Sequence, residues 1–377
     1  MASTCNDLLD RCLRGEPWAE EALREAIDVD EGRAFLSVVV ERLGDLFEPR
    51  LCDVYAELFP QAIRMVYPEL APRVRRAPPP GLAPDSVDRV YVLSRVTLGA
   101  DIAVTGVLLD AAKKRWADAE ICFVGPRKNY ELFEADRRIR HVAAPYPRSS
   151  SLRGRLEASA ALEFTDGIVI DPDSRLTQLG LIRVCDDQRY FFFDSRGYGG
   201  EGLDRLPDLA ARWAGEILRV EDAKPYIAPR PAEGPPADVT VSLGVGENAG
   251  KRLDGDFERE LLRLLGETGA SVLIDKGAGE EERARVEAAL QPGMRTHEGA
   301  FAAFAAHIAR SKLFVGYDSA GGHAASACGV PLISIAHGFA SERMLARWRP
   351  NGVVIRGDSL DVLGHVREAL LTYTFRR

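Results

Sequence analysis

No run of the 377 residues approaches eighteen consecutive apolar positions, so the sequence offers no helix able to cross a bilayer. The first residues, Met1 to Asp7, lack a basic stretch followed by an apolar one. That gives no sign of an export signal and sets the expectation of a cytoplasmic protein with at most peripheral membrane contact. Cysteine is sparse and scattered. Cys5, Cys12, Cys52, Cys122, Cys185 and Cys328 form no C-x-x-C pair and have no histidine at zinc spacing, so they read as reduced and packed. Positive charge is also in deficit: a formal net charge of −8 argues against a general nucleic-acid binder, and any phosphate site has to be built locally.

What remains is ordinary for a globular chain, 46% apolar and 28% charged, with length for two or three domains. Leu51, Val54, Tyr55, Leu58, Ala62 and Met65 recur at three and four and predict a helix; Pro17, Asp30, Pro49 and Pro60 punctuate this region, Pro60 as a kink or break. Residues 1–76 read as an all-helical appendage that packs on the main body or on a second copy of the chain. A proline-rich linker, 77–86, follows. Strand and helix patterns then alternate over 87–222, beginning with Arg89 to Ser94, a helix over Ile102 to Trp116 and a strand over Glu120 to Gly125. After a second proline-rich linker, 223–236, the alternation restarts over 237–377 and closes in a helix capped by Asp358 or Ser359 that runs to the C-terminus. Strands apolar throughout, alternating with helices, predict two α/β domains with parallel sheets; a cleft between the carboxyl ends of their strands is the expected ligand site.

The most informative stretch runs from Leu313 to Pro331. An apolar run ends in Asp318-Ser319-Ala320-Gly321-Gly322-His323 and passes into small, helix-favouring residues. Such a strand–loop–helix junction aims free N–H groups and the positive end of a helix dipole at an anion. Gly321 and Gly322 are expected to let that anion approach, with Asp318, Ser319 and His323 bonding to neutral hydroxyls beside it. A second glycine-rich turn, Gly244-Val245-Gly246-Glu247-Asn248-Ala249-Gly250-Lys251-Arg252, departs from the P-loop at 245 and 252 and from the dinucleotide fingerprint by one residue. Its Lys251 and Arg252 are either phosphate ligands or a solvated pair. Asp101, in the first strand-to-helix turn, is either a cleft-facing carboxylate or a helix cap. Asp171-Pro172-Asp173 fits a metal D-x-D or turn chemistry equally.

Four of these segments, in their order along the chain, resemble glycosyltransferase family 9, the ADP-heptose:lipopolysaccharide heptosyltransferases, over about residues 88 to 356. Leu98-Gly99-Ala100-Asp101-Ile102 is similar to the family's L-G-D opening, with Ala100 inserted. Val169-Ile170-Asp171-Pro172 resembles its acceptor-side strand. Gly250-Lys251-Arg252-Leu253 resembles the K-R/H-W stretch, with leucine for tryptophan. Gly316 to His323 with Gly329-Val330-Pro331 resembles D-[ST]-G-x-x-H followed by G-V-P, with Ala320 for glycine. Gly277 to Glu282 resembles a segment whose glutamate lies near the nucleoside, with Glu281 the aligned residue.

The resemblance implies a GT-B fold of two facing Rossmann-like domains behind the helical appendage. It also implies an inverting, metal-independent transfer of a sugar, heptose from ADP-heptose in the family, to an acceptor hydroxyl. In that reading Asp101, Lys251 and His323 are catalytic. Gly244, Gly246, Lys251, Arg252, Glu281, Asp318, Ser319, Gly321, Gly322 and His323 hold the donor, while Gly99, Asp101 and Asp171 lie on the acceptor side. No metal and no cofactor beyond the nucleotide sugar are expected. The partners are that nucleotide sugar and a glycan, natural product or protein acceptor, with no nucleic acid; the N-terminal helices, outside the resemblance, leave a homo-oligomer open as the alternative to packing on the main body. The departures at Ala100, Leu253 and Ala320 support an alternative, a binding or scaffold protein of the same fold that has lost turnover. A nucleotide-sugar epimerase is a third reading.

Overall fold

The structure, a computed structural model, describes residues 2–246, 248–373 and 375. By its contacts the chain forms two compact units. The first comprises residues 1–97, 107–130 and 138–224; the second comprises 98–106, 131–137 and 225–377. Residues 75–88 and 223–238, which hold the two proline-rich segments, carry no extended strand or helix.

In the first unit the N-terminal region is helical: Ala2–Arg14, Glu20–Asp28, Glu41–Asp45 and Pro49–Val66. The last of these buries Leu51, Tyr55, Leu58, Phe59, Ala62 and Ile63 along one face. It runs through Pro60 without a break, so of the expected kink or break the break does not occur. The ring removes one backbone bond at a cost of about 3 kcal/mol, and the buried residues on both sides of it supply the packing that offsets this. These helices do not make a core of their own. Leu152, Leu156, Leu181 and Ile182, from the sheet-bearing part of the same unit, lie in one apolar cluster with Leu8, Phe35 and Phe59.

The sheet of this unit has five parallel strands: β1 (Arg89–Leu93), β2 (Glu120–Gly125), β3 (Ile139–Ala143), β4 (Ile168–Asp171) and β5 (Tyr190–Phe192), in the order β3-β2-β1-β4-β5. β1 pairs β2 and β4 in register, Val92 opposite Phe123 on one side and Ile170 on the other. Every residue of β4 is buried, as expected of a strand covered on both faces.

The second unit has six parallel strands: β6 (Val239–Ser242), β7 (Val272–Asp275), β8 (Arg295–His297), β9 (Leu313–Tyr317), β10 (Leu332–Ala336) and β11 (Val353–Arg356). Their order is β11-β10-β9-β6-β7-β8. The core beneath them joins Val241, Ile274, Val315, Tyr317, Ile333 and Ile335 to Leu261 and Leu265 of the helix Phe257–Glu267. In both sheets the strand order reverses beside the first strand, at β1/β4 and at β6/β9. Loops leaving the carboxyl ends at such a point are where this class of sheet binds ligands.

Among the elements that go beyond the sequence reading are the three-residue edge strand β8, too short to show alternation, and the helices Arg127–Tyr130 and Glu342–Trp348. The last helix is Val362–Leu370, and its cap is Asp361, which accepts the Gly364 N–H at 2.7 Å. Asp358, one of the two residues expected there, instead pairs with Arg356. The expected continuation to the C-terminus fails at Leu370; residues 374, 376 and 377 lie outside the described residues. No helix among the described residues is long and apolar enough to cross a membrane.

Candidate functional site

The second unit gathers most of the sequence-derived residues on the loops after β6, β7 and β9. β9 ends at Tyr317, and Asp318 follows, its N–H donating to Ile335 O at 2.9 Å. Ser319 is extended, and the helix Ala320–Ala327 begins behind it. By helix geometry the first N–H groups of this helix have no acceptor within it. The usual remedy is a serine cap, yet Ser319 makes no side-chain cap bond, and its buried Oγ has no hydrogen-bond partner. A buried hydroxyl left so beside helix N–H groups is what an incoming oxygen ligand would satisfy.

Lys251 supplies the charge. After β6 the chain turns at Gly246, whose φ of +62 favours glycine. Asn248 caps the short turn Ala249–Lys251 by accepting the Gly250 N–H at 3.1 Å. Lys251 Nζ then reaches the Asp318 carboxylate at 2.6 Å, both side chains being largely buried. Arg252 makes a looser pair with Glu281 at 3.5 Å, and Glu281 is itself 85% exposed.

His323, one turn into the helix after Ser319, is buried, with Trp348 edge-on at 5.9 Å between ring centroids. Burial holds its pKa below the usual histidine value; Asp318 opposes that shift and Lys251 adds to it. The ring is therefore neutral at neutral pH and able both to donate and to accept. Gly99 packs against it: a Cβ on Gly99 would stand 3.2 Å from His323 Cδ2 and 3.6 Å from Ala320 Cα. The segment 98–106 thus brings the Gly99 turn onto the helix that carries His323. Asp101 is fully buried two residues on, and its Oδ1 accepts the Thr105 hydroxyl at 2.7 Å.

Two assignments change in detail. Gly321 was expected to make room for an anion, but a Cβ there would lie 2.5 Å from the Phe314 ring, so its smallness serves the close packing of helix on β9. At Gly322 a Cβ would meet Pro350 at an ordinary 3.5 Å. The acidic residue turned toward the first glycine of the β6 loop is Glu282, which the sequence reading passed over. Its carboxylate lies against Gly244 and Gly277 and accepts the Ala278 N–H at 3.3 Å. Asp275, at the end of β7, is the other carboxylate of this corner. Burial raises its pKa, and its Oδ1 accepts the Gly277 N–H at 3.3 Å.

In the first unit the loops after β1, β4 and β5 hold a different arrangement. Asp171 is fully buried and receives the Ser174 N–H at 2.7 Å, the Thr177 hydroxyl at 2.5 Å and the Tyr190 hydroxyl at 2.6 Å. Burial lifts its pKa to about 6 against the pull of those three donors. With its oxygens so engaged, Asp171 shapes the loop that follows β4. Asp173, the second residue of the D-x-D, pairs with Arg196 and accepts Ser195 Oγ at 2.8 Å. Turn chemistry therefore accounts for the motif. Arg196 also donates to Gly44 O at 2.6 Å, and Arg175 to Asp45 at 2.9 Å, which ties the N-terminal helices to these loops. Arg95 is buried among them, donates to Pro172 O at 2.7 Å, and has its pKa brought down to about 10 by burial and by Arg196.

The profile of glycosyltransferase family 9 (heptosyltransferase) matches residues 245–361, which span Lys251, Glu282, Asp318 and His323. No curated protein sequence matches the chain significantly. Among solved structures, the E. coli heptosyltransferase WaaC with ADP-2-deoxy-2-fluoro heptose superposes with a TM-score of 0.57 at 15% identity, over 75% of this chain and 99% of that one. A family 9 glycosyltransferase from Veillonella parvula gives 0.55 at 12% identity, over 78% and 92%. The E. coli ADP-heptose lipopolysaccharide heptosyltransferase II gives 0.52 at 17% identity, over 75% and 98%. At such identities the likeness is one of fold: two Rossmann-like parallel sheets of the GT-B type, here with a helical N-terminal region.

Proposed function

We propose that this chain, a heptosyltransferase-like glycosyltransferase by family and fold with its family 9 domain at residues 245–361, transfers a sugar with inversion from a nucleoside-diphosphate donor to an acceptor hydroxyl. The donor that fits the family is ADP-heptose. One observation carries the reading: a helix N-terminus, a partnerless buried hydroxyl on Ser319 and the Lys251 ammonium meet at the carboxyl end of β9. Together they suit a diphosphate joined to a polyol.

In the reaction the acceptor oxygen attacks the anomeric carbon as its proton passes to Asp101. The bond from that carbon to the diphosphate oxygen breaks, and the diphosphate leaves with the electron pair. Lys251, leaving Asp318 for the phosphates, and the N–H groups at the start of the helix Ala320–Ala327 neutralise the charge that develops, so no metal is needed for that task. Asp318, released from the lysine, and the neutral His323 bond to sugar hydroxyls. Glu282 and Asp275 are suited to the ribose hydroxyls. Arg252, half-buried, and the exposed Glu281 are left to steer the donor. The burial of Asp101 requires the Gly99–Asp101 turn to open for the acceptor hydroxyl. A cytoplasmic setting, where nucleotide sugars are found, is part of the proposal.

The test is mass spectrometry of purified protein incubated with a panel of nucleotide sugars and cell extract. Transfer of a sugar to an extract component with release of the nucleoside diphosphate supports the reading. Donor bound but never consumed favours a binding protein of the same fold, and isomerised donor without acceptor favours an epimerase.

A further inference from the structure

The loop between β10 and the helix Glu342–Trp348 runs against the turn that carries Lys251. Gly338 in this loop has a φ of +67, and a Cβ there would stand 2.3 Å from Gly250 O and 3.1 Å from the Lys251 nitrogen. Only glycine lets the two backbones meet so closely. The far end of the loop is fixed by Ser341, which accepts the Met344 N–H at 3.1 Å and caps the helix. Phe339, held between these two anchors, presents its ring to Lys251, with Nζ 4.9 Å from the ring centroid. The same ammonium donates to Asp318 at 2.6 Å.

A lysine has a long, freely rotating stem, and its charge has to be restrained before it acts as a fixed electrostatic group. Asp318 restrains it, but a carboxylate competes with phosphate for the same protons. An aromatic face attracts the cation through its quadrupole and takes no hydrogen bond that phosphate needs. Two backbone features and one ring therefore converge on the side chain that the donor reading assigns to the diphosphate.

We propose that Phe339 is a positioning residue for the nucleoside diphosphate: its ring keeps the Lys251 ammonium aimed into the site when phosphate draws it away from Asp318. The proposal rests on the donor-binding reading above. Nothing in the sequence marks Phe339 beforehand, since it lies outside every motif and its role depends on the backbone approach at Gly338.

Calorimetric titration with ADP, UDP and GDP, run on the full chain, tests it through a double-mutant cycle. Phe339→Leu keeps the bulk but loses the quadrupole and weakens the best of the three nucleotides by roughly two- to fivefold. Phe339→Tyr restores wild-type binding. In a Lys251→Ala background the leucine substitution has no further effect. Equal binding by Phe339→Leu and wild type overturns the proposal, as does an equal loss with and without Lys251, which means that the ring acts on ligand or fold and not through the lysine. Should Lys251→Ala alone leave all three nucleotides unaffected, it is the donor reading that fails, an outcome separable from the first two.

Discussion

The two parallel sheets share a topology near their switch points but treat the carboxyl ends of their strands in opposite ways. Behind β4 and β5 the polar groups are consumed internally. Asp171 has three protein donors, Asp173 is taken by Arg196 and Ser195, and the N-terminal helices reach in through Gly44 and Asp45. Behind β9, Ser319 Oγ has no partner, a helix opens without its side-chain cap, and a lysine is held by a carboxylate and an aromatic ring. A fully satisfied network rigidifies its surroundings, whereas an incompletely satisfied one marks where a ligand completes the bonding. The same βα scaffold thus yields a shaped support in one unit and a receptive site in the other.

If that contrast is sound, damage to the first unit should appear as lost stability and damage to the second as lost function. Asp173→Asn takes from the buried Arg196 the nearer of its two charge partners, leaving Asp45 at 3.4 Å, and is expected to lower stability by about 3 kcal/mol, read from urea denaturation. A change below about 1 kcal/mol would remove the network from its structural role. Asp101→Asn should reduce sugar transfer by about 10²-fold or more while the calorimetric affinity for the nucleoside diphosphate stays within twofold; unchanged turnover takes Asp101 out of the base role.

Ser319→Ala sharpens the comparison further. Because the hydroxyl has no protein partner, its removal should leave the urea midpoint unchanged, yet weaken nucleoside-diphosphate binding by about 1 kcal/mol, the net worth of one hydrogen bond. The reverse pattern, stability lost and binding intact, would make it a structural residue.

The smallest effect concerns pH. His323 has its pKa lowered in the folded chain, so below the ordinary histidine value of about 6.5 the unfolded chain binds more protons than the folded one, and stability falls as pH falls. His323→Gln removes that contribution. The drop in urea midpoint between pH 7.5 and 5.5 should be smaller in the variant than in the wild type, and an equal drop would show that His323 does not contribute.

Much of the fold was legible because long apolar runs alternating with amphipathic helices leave few alternatives to parallel sheets. The residues that escaped did so for physical reasons. β8 is three residues long and Arg-Thr-His has no apolar alternation to see. Pro60 reads as a kink or break until the apolar face holding its helix is known. Glu281 and Glu282 are adjacent in a run of three glutamates, and one residue is a rotation of about 100° around a helix, enough to turn a carboxylate from solvent to Gly244. Gly321 lies in the most specific motif of the chain, yet its contact with Phe314 is a tertiary one. The saturation of Asp171 depends on Tyr190, nineteen residues away on another strand. Motif residue types were therefore readable, while their division between ligand-facing and structural duty was not.

Amide hydrogen exchange with and without a saturating nucleoside diphosphate, chosen from ADP, UDP and GDP, tests the asymmetry most directly. The account predicts added protection over residues 248–252 and 318–327, with residues 171–178 and 193–198 unchanged. Protection confined to the latter two segments, or none anywhere with all three nucleotides, would contradict it.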